Sequence, residues 1–155
     1  MNAQRLLSHL HDSHQTLAVA ESVTGGAIAK AITDVPGSSS VFLGGLITYA
    51  TDSKVALLGI PRELIDRHGV VSEEVAIEMA RSVRERLGST WGVATTGVAG
   101  PGPHHGVPAG QVWIAISGPS EATERLSLGD IGRDHVRDGA VTGALALLGR
   151  ILGGS

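Results

Sequence analysis

Short apolar runs that end in glycine-rich turns, with helical stretches behind them, limit most strongly what this chain can fold into. Thr16-Leu-Ala-Val-Ala20 runs into Glu21-Ser-Val-Thr-Gly-Gly26, and Ala27–Thr33 then has helical composition. Residues 91–96 form a second apolar run, which delivers Thr95-Thr-Gly-Val-Ala-Gly-Pro101. A strand, a glycine turn and a helix make the first half of an α/β unit. Glycine accounts for 22 of 155 residues, about twice its usual share, and its positions follow this plan. Gly25, Gly26, Gly37, Gly97, Gly100 and Gly102 fall in turns at strand ends, while Gly88, Gly153 and Gly154 stand where helices stop.

The rest of the chain reads in the same alternation. Residues 2–12 suit an amphipathic helix with Leu6, Leu7 and Leu10 on one face. Residues 41–50 are strand-like, with Gly44-Gly45 as an interruption, and Thr51-Asp-Ser-Lys54 offers N-cap chemistry to a helix through 55–58. Pro61 suits the first turn of a short helix that ends at Gly69. The clearest helix is 73–87, capped by Ser72, acidic in its first turn, with Val75, Met79, Val83 and Leu87 on one face. Gln111–Ser117 and residues 123–128 read as paired strands. Residues 132–152 close the chain as a helix with Val136, Ala140, Ala144, Leu147 and Ile151 inward. Neither a repeat nor a linker interrupts this order, so residues 1–155 are expected to form one α/β domain. Phe42, Trp91 and Trp113 are expected in its core, and Tyr49 where a strand runs out towards Lys54.

Composition removes several function classes. With no cysteine, disulfides, thiolate catalysis and cysteine-bound zinc drop out. A formal charge of -3 lacks the basic excess of a nucleic-acid binder. No apolar run approaches the ~20 residues of a membrane span. The opening Met-Asn-Ala-Gln-Arg-Leu-Leu-Ser-His-Leu is not a signal peptide. A cytoplasmic location, with no membrane or nucleic-acid partner, is the expectation.

Chemistry is sought where glycines let backbone N–H groups approach a ligand beside Ser and Thr hydroxyls. Three turns qualify: Glu21-Ser-Val-Thr-Gly-Gly26, Val35-Pro-Gly-Ser-Ser-Ser40 and Thr95-Thr-Gly-Val-Ala-Gly-Pro-Gly102. None is a Walker A loop or a dinucleotide fingerprint, and together they point to a small phosphorylated ligand. A serine nucleophile needs a base. The histidines (His9, His11, His14, His68, His104, His105, His135) sit in no nucleophile elbow, and His11 with His14 lacks a third metal ligand. His104-His105 reads as a solvated loop pair. The chain has ten Arg but only Lys30 and Lys54, and only the amine can reach neutrality near pH 7. Lys54 therefore stands out as base for Ser39 or Ser22, with Tyr49 as relay or orienting donor.

Five motifs in order now carry a resemblance: Ala20-Glu-Ser-Val-Thr-Gly-Gly26, Thr33-Asp-Val-Pro-Gly-Ser-Ser39, Gly45-Leu-Ile-Thr-Tyr49 with Lys54, Gly69-Val-Val-Ser-Glu-Glu74 and Thr96-Gly-Val-Ala-Gly-Pro101. From about residue 5 to 152 the chain resembles the C-terminal domain of the competence/damage-inducible CinA proteins, the nicotinamide-nucleotide amidohydrolase family. It is similar to the stand-alone form, without the pyrophosphatase-like domain of longer members. The resemblance implies a three-layer α/β/α sandwich around a mixed sheet. It also implies hydrolytic deamidation of nicotinamide mononucleotide to nicotinate mononucleotide and ammonia, with neither metal nor cofactor.

Carried over by motif, the resemblance implies Ser39 as nucleophile in preference to Ser22, Lys54 as general base and Tyr49 between them. Thr24, Gly25, Gly26, Thr96 and Gly97 would bind the nucleotide with an arginine early in the last helix, Arg133 in preference to Arg137. Backbone N–H groups around residues 37–40 would then form the oxyanion site. Two departures fall near these motifs. Val23 replaces the Cys common after that serine, and Val107-Pro108 lacks the usual Lys before the proline, so the 102–109 loop is altered. The alternative is a non-catalytic nucleotide-binding regulatory module of the same fold, which has no need of a titratable amine. A homo-oligomer is compatible with the pattern, which reveals no interface.

Overall fold

The computed structural model describes residues 1–153; the helix stop expected at Gly154 lies outside the described residues. Helix α1 (Ala3–Asp12) starts where the Asn2 side chain accepts the Arg5 N–H, and it buries Leu6, Leu7 and Leu10. Strand β1 (Leu17–Glu21) is buried at all five residues, as a central strand in a parallel pair must be. Helix α2 (Ala27–Thr33) follows, then a 3₁₀ turn at Ser38–Ser40 and strand β2 (Phe42–Ile47). Three helices come next: α3 (Thr51–Leu58), α4 (Arg62–His68) and α5 (Glu73–Leu87), the last capped by the Ser72 hydroxyl on Val75 N–H. Strands β3 (Trp91–Gly97), β4 (Gln111–Ser117) and β5 (Ala122–Ser127) lead to the closing helix α6 (Arg133–Ile151).

The five strands form one sheet in the order β2-β1-β3-β4-β5. β1 runs parallel to both β2 and β3, whereas β4 and β5 continue antiparallel, so the sheet is mixed. Alternation along β1 sorts its side chains between two layers. Leu17 and Val19 join the core under α1, α2 and α6, while Ala18 and Ala20 face Leu58, Ile65 and the apolar face of α5. The result is a three-layer α/β/α sandwich. Small residues on the α5 side let that helix lie close to the sheet.

This arrangement places the ends of β1, β2 and β3 on one edge, the edge where α/β folds bind ligands. β2 is shorter than the sequence suggests, because the chain leaves the sheet at Thr48 to enter α3. Trp91 is buried and Trp113 partly buried, the latter with Arg125 above its ring. Among the described residues no helix is long and apolar enough to cross a membrane.

At Gly45 in β2, a methyl group would lie 2.6 Å from both the Val19 carbonyl oxygen and Val19 Cγ2 of β1. Gly45→Ala must push the two strands apart, an overpacking cost of about 1–3 kcal/mol. Urea unfolding is the check; a loss below about 0.5 kcal/mol contradicts the tight β1–β2 contact.

Candidate active site

Ser22 is the first residue beyond β1, and its N–H donates to the Thr95 carbonyl of neighbouring β3 (3.1 Å). Lys54 belongs to α3, and its side chain folds back past the start of its own helix. Lys54 Nζ donates to Thr48 O (2.6 Å), Ser22 Oγ (2.9 Å) and Tyr49 O (3.3 Å). The side chain is 0% exposed, the largest among the fully buried ones, and Ser22 is buried as well. Desolvation penalises a charged amine, and burial lowers Lys54 from the usual 10.5 to about 8.

The three acceptors give the amine a directional role. An ammonium fills all three with its protons. Once neutral, it keeps two N–H groups for the carbonyls of Thr48 and Tyr49, and its lone pair faces the remaining neighbour, Ser22 Oγ. The geometry thus orients a base onto a hydroxyl.

A cleft of about 310 Å³ opens above this pair, at the small end of the range for ligand sites. Its floor and walls include Ser22, Val23, Thr51, Lys54, Thr96 and Gly97. Tyr49, His104 and Arg133 also line it, and no Asp or Glu does. Arg133 reaches across with one guanidinium nitrogen on Gly100 O (2.6 Å) and the other on the Tyr49 hydroxyl (3.2 Å). Thr96 holds the wall by donating its hydroxyl to Val70 O (2.9 Å).

Ser39 does not join this site. It lies in the turn before β2, where Leu17 N–H donates to Val41 O at the start of the parallel pair. Lys54 is anchored at Thr48, past the other end of the strand. The six residues of β2 at ~3.3 Å each put roughly 20 Å between them. Strand direction therefore keeps Ser39, and the backbone N–H groups around residues 37–40, away from Lys54. Tyr49 is not a relay either. Its carbonyl serves Lys54, while its 61% exposed side chain meets Arg133 at the cleft mouth.

Thr24 is buried, Gly25 exposed and Gly26 half-buried, and none of the three lines the cleft. Thr24 Oγ1 is 2.8 Å from Thr95 Oγ1, and Arg137 spends a guanidinium N–H on Thr24 O (3.0 Å). Arg137 braces the turn; Arg133 is the arginine in the cleft. Glu21, unassigned from sequence, explains the turn's rigidity. Its buried carboxylate accepts the N–H groups of Ile28 (2.9 Å) and Ala29 (3.0 Å), in the first turn of α2. The N-cap of that helix is Gly26, which has no side chain to do so. An acidic residue five positions before a glycine N-cap was the available signal. His104, Thr51, Val70 and Val71 also line the cleft unannounced.

Among the described residues no group of three or more His, Cys, Asp or Glu side chains gathers as a metal site. The chemistry on offer is a hydroxyl, an amine of lowered basicity, and a cleft without acidic side chains.

A family model for the CinA C-terminal domain matches residues 2–152. A CinA-like protein of Frankia casuarinae is 47% identical over 139 residues, which cover 90% of this chain and 32% of that protein. One from Synechococcus sp. strain RCC307 is 48% identical over 149 residues, covering 94% and 36%. The chain thus spans about a third of the length of these relatives. The crystal structure of competence/damage inducible protein CihA from Agrobacterium tumefaciens superposes with a TM-score of 0.92 at 35% identity, over 97% of this chain and 93% of that one. A CinA superfamily protein from Klebsiella pneumoniae 700603 gives 0.94 at 29% identity, over 97% and 95%.

The lowered basicity of Lys54 carries a stability signature. Between about pH 8 and 10.5 the unfolded chain holds a proton at this residue that the folded chain has released. Stability therefore rises with pH across that window, by about 3 kcal/mol at most, and the burial penalty is fully present below it. Relative to Lys54→Met, the wild type should gain about that amount between neutral pH and about pH 10.5 in denaturant unfolding. A difference that stays constant with pH contradicts the lowered value.

Proposed function

The chain belongs to the CinA C-terminal domain family, and from that premise we propose that it hydrolyses the carboxamide of nicotinamide mononucleotide to nicotinate mononucleotide and ammonia. The observation that carries this reading is the buried Lys54 amine held 2.9 Å from the Ser22 hydroxyl. Neutral Lys54 takes the Ser22 proton as Oγ attacks the amide carbon, forming a C–O bond and a tetrahedral oxyanion. The peptide N–H of Val23, next after the nucleophile, donates to no carbonyl among the described residues and is the proposed oxyanion donor.

Protonated Lys54 then returns its proton to the nitrogen, the C–N bond breaks, and ammonia leaves an ester on Ser22. Water repeats the cycle, giving up its proton to Lys54 while attacking the ester, and Lys54 reprotonates Ser22 Oγ as the acid departs. One amide and one water become one acid and one ammonia. Arg133 and the acid-free cleft suit the substrate's phosphate.

A pure nucleotide-binding module would gain nothing from this lysine. Burying it costs about 3 kcal/mol below pH 8, a cost that a methionine or leucine would avoid. Proton transfer is the use that requires the amine.

Ammonia release from nicotinamide mononucleotide, compared with free nicotinamide and NAD, tests the reading; none at micromolar enzyme contradicts it. Ser22→Ala and Lys54→Arg should each lower kcat about a thousandfold or more, while Ser39→Ala stays within about twofold of wild type. Lys54 must be unprotonated to act, so kcat/KM should climb with pH and level off above about 8. A flat profile from pH 6 to 9, or near-normal turnover by Lys54→Arg, contradicts Lys54 as base.

A further inference from the structure

The glycine turn after β1 is where a phosphate would be looked for first, since backbone N–H groups at a helix start attract anions. Here that place is partly occupied and already carries a carboxylate, although the Thr24 and Gly26 N–H groups donate to no carbonyl among the described residues. Both oxygens of the Glu21 carboxylate take N–H groups from the first turn of α2, the Thr24 hydroxyl is spent on Thr95, and Thr24 O is held by Arg137. A dianion brought to this turn would displace a buried carboxylate and meet its charge. The Glu21 carboxylate thus disfavours a phosphate at this turn, and none of Thr24, Gly25 and Gly26 lines the cleft, so another wall is the better place for it.

Another wall is built from β3's exit loop and the start of α6, and both His104 and Arg133 line the cleft there. His104 is not a loosely tethered loop residue. Its N–H donates to Val107 O (3.0 Å) and its carbonyl accepts Val107 N–H (2.9 Å). Between them His105 and Gly106 both have positive φ, 48° and 75°, the signature of a tight type I′ turn. The root of the loop is pinned as well, by Gly102 N–H on Asp130 Oδ2 (3.0 Å) and by Arg133 on Gly100 O. The His105 ring stands edge-on to that of His104, with centroids 4.2 Å apart.

Among the described residues Arg133 has two partners, Gly100 O and the Tyr49 hydroxyl, which leaves it further N–H groups for an anion.

We propose that His104 is a specificity-determining residue that, with Arg133, binds the phosphomonoester of the substrate on this wall. The inference rests on the proposed deamidation only in placing the amide at Ser22; the phosphate assignment follows from the cationic and N–H donor side chains that line the cleft and from the carboxylate at the other turn. An imidazole N–H adds a hydrogen bond, and when protonated a charge-assisted one. Removing it should weaken a phosphorylated ligand selectively.

The test is calorimetric titration of ribose 5-phosphate, with ribose as the uncharged control, into wild type, His104→Ala and His104→Lys. Alanine keeps the turn's backbone hydrogen bonds, and thermal unfolding verifies that the variant is folded. The expected result is about tenfold weaker binding of ribose 5-phosphate by His104→Ala, recovery to within about threefold by His104→Lys, and no change with ribose. Binding by His104→Ala within twofold of wild type overturns the proposal, as does a wild type that binds the two sugars equally. The two readings fail separately. No ammonia from nicotinamide mononucleotide with His104-dependent phosphate binding sinks the deamidase and keeps this subsite; normal deamidation with His104-independent binding does the reverse.

Discussion

The Lys54 amine is enclosed with three oxygen acceptors around it, two of them backbone carbonyls of the segment that leaves β2. Those carbonyls are left for Lys54 because the strand ends at Ile47 and, past the Thr48 N–H bond to Glu21 O, the chain turns into α3. The same arrangement removes the amine from water, lowers its basicity and fixes the direction of its lone pair. Burying the charged form costs about 3 kcal/mol, about what one fully buried Leu or Ile contributes. The fold offsets it with two apolar layers, one on each face of the sheet.

Around that pair, most neighbours act by closing alternatives. Glu21 fixes the start of α2 from one residue before Ser22, and its carbonyl accepts Thr48 N–H (2.8 Å). Thr48 in turn supplies the closest acceptor for Lys54. A single residue thereby links the serine turn, the end of β2 and the lysine. Arg137 braces the serine turn from α6, and Arg133 joins the Tyr49 side of the cleft to the Gly100 loop. α6 thus serves both the buried turn and the cleft wall, four residues apart on one helix face.

Much of this was legible in the chain. The bounds of α2, α5 and β4 match the hydrophobic period and cap chemistry, and the strand–glycine turn–helix order implied the three layers. Lys54 stood out because Arg dominates the basic residues. The choice between Ser22 and Ser39 was not legible, since both follow the same local pattern of hydroxyls beside glycine. Strand direction determines which of them Lys54 meets: Ser22 lies after a strand, at Lys54, and Ser39 before one. The surroundings of the Thr24-Gly25-Gly26 turn were hidden for a related reason. Sequence shows the glycines and the hydroxyl but not the Glu21 carboxylate that accepts the Ile28 and Ala29 N–H groups beside them, which becomes visible only once α2 is docked against β1. His104 is exposed, as expected of a solvated loop residue; that it also lines the cleft depends on the turn type and on the loop's anchors at Asp130 and Gly100, which sequence does not show.

The central claim is that the buried amine beside Ser22 reaches neutrality near physiological pH. Lysine labelled with ¹³C at Cε gives only two side-chain signals in this protein, from Lys54 and the exposed, Asp34-paired Lys30. Lys54→Met assigns them. An NMR titration should find the Lys54 midpoint at about 8. A midpoint near 10.5, the ordinary value for lysine, would contradict the account, because the amine would then remain protonated where the serine needs a base.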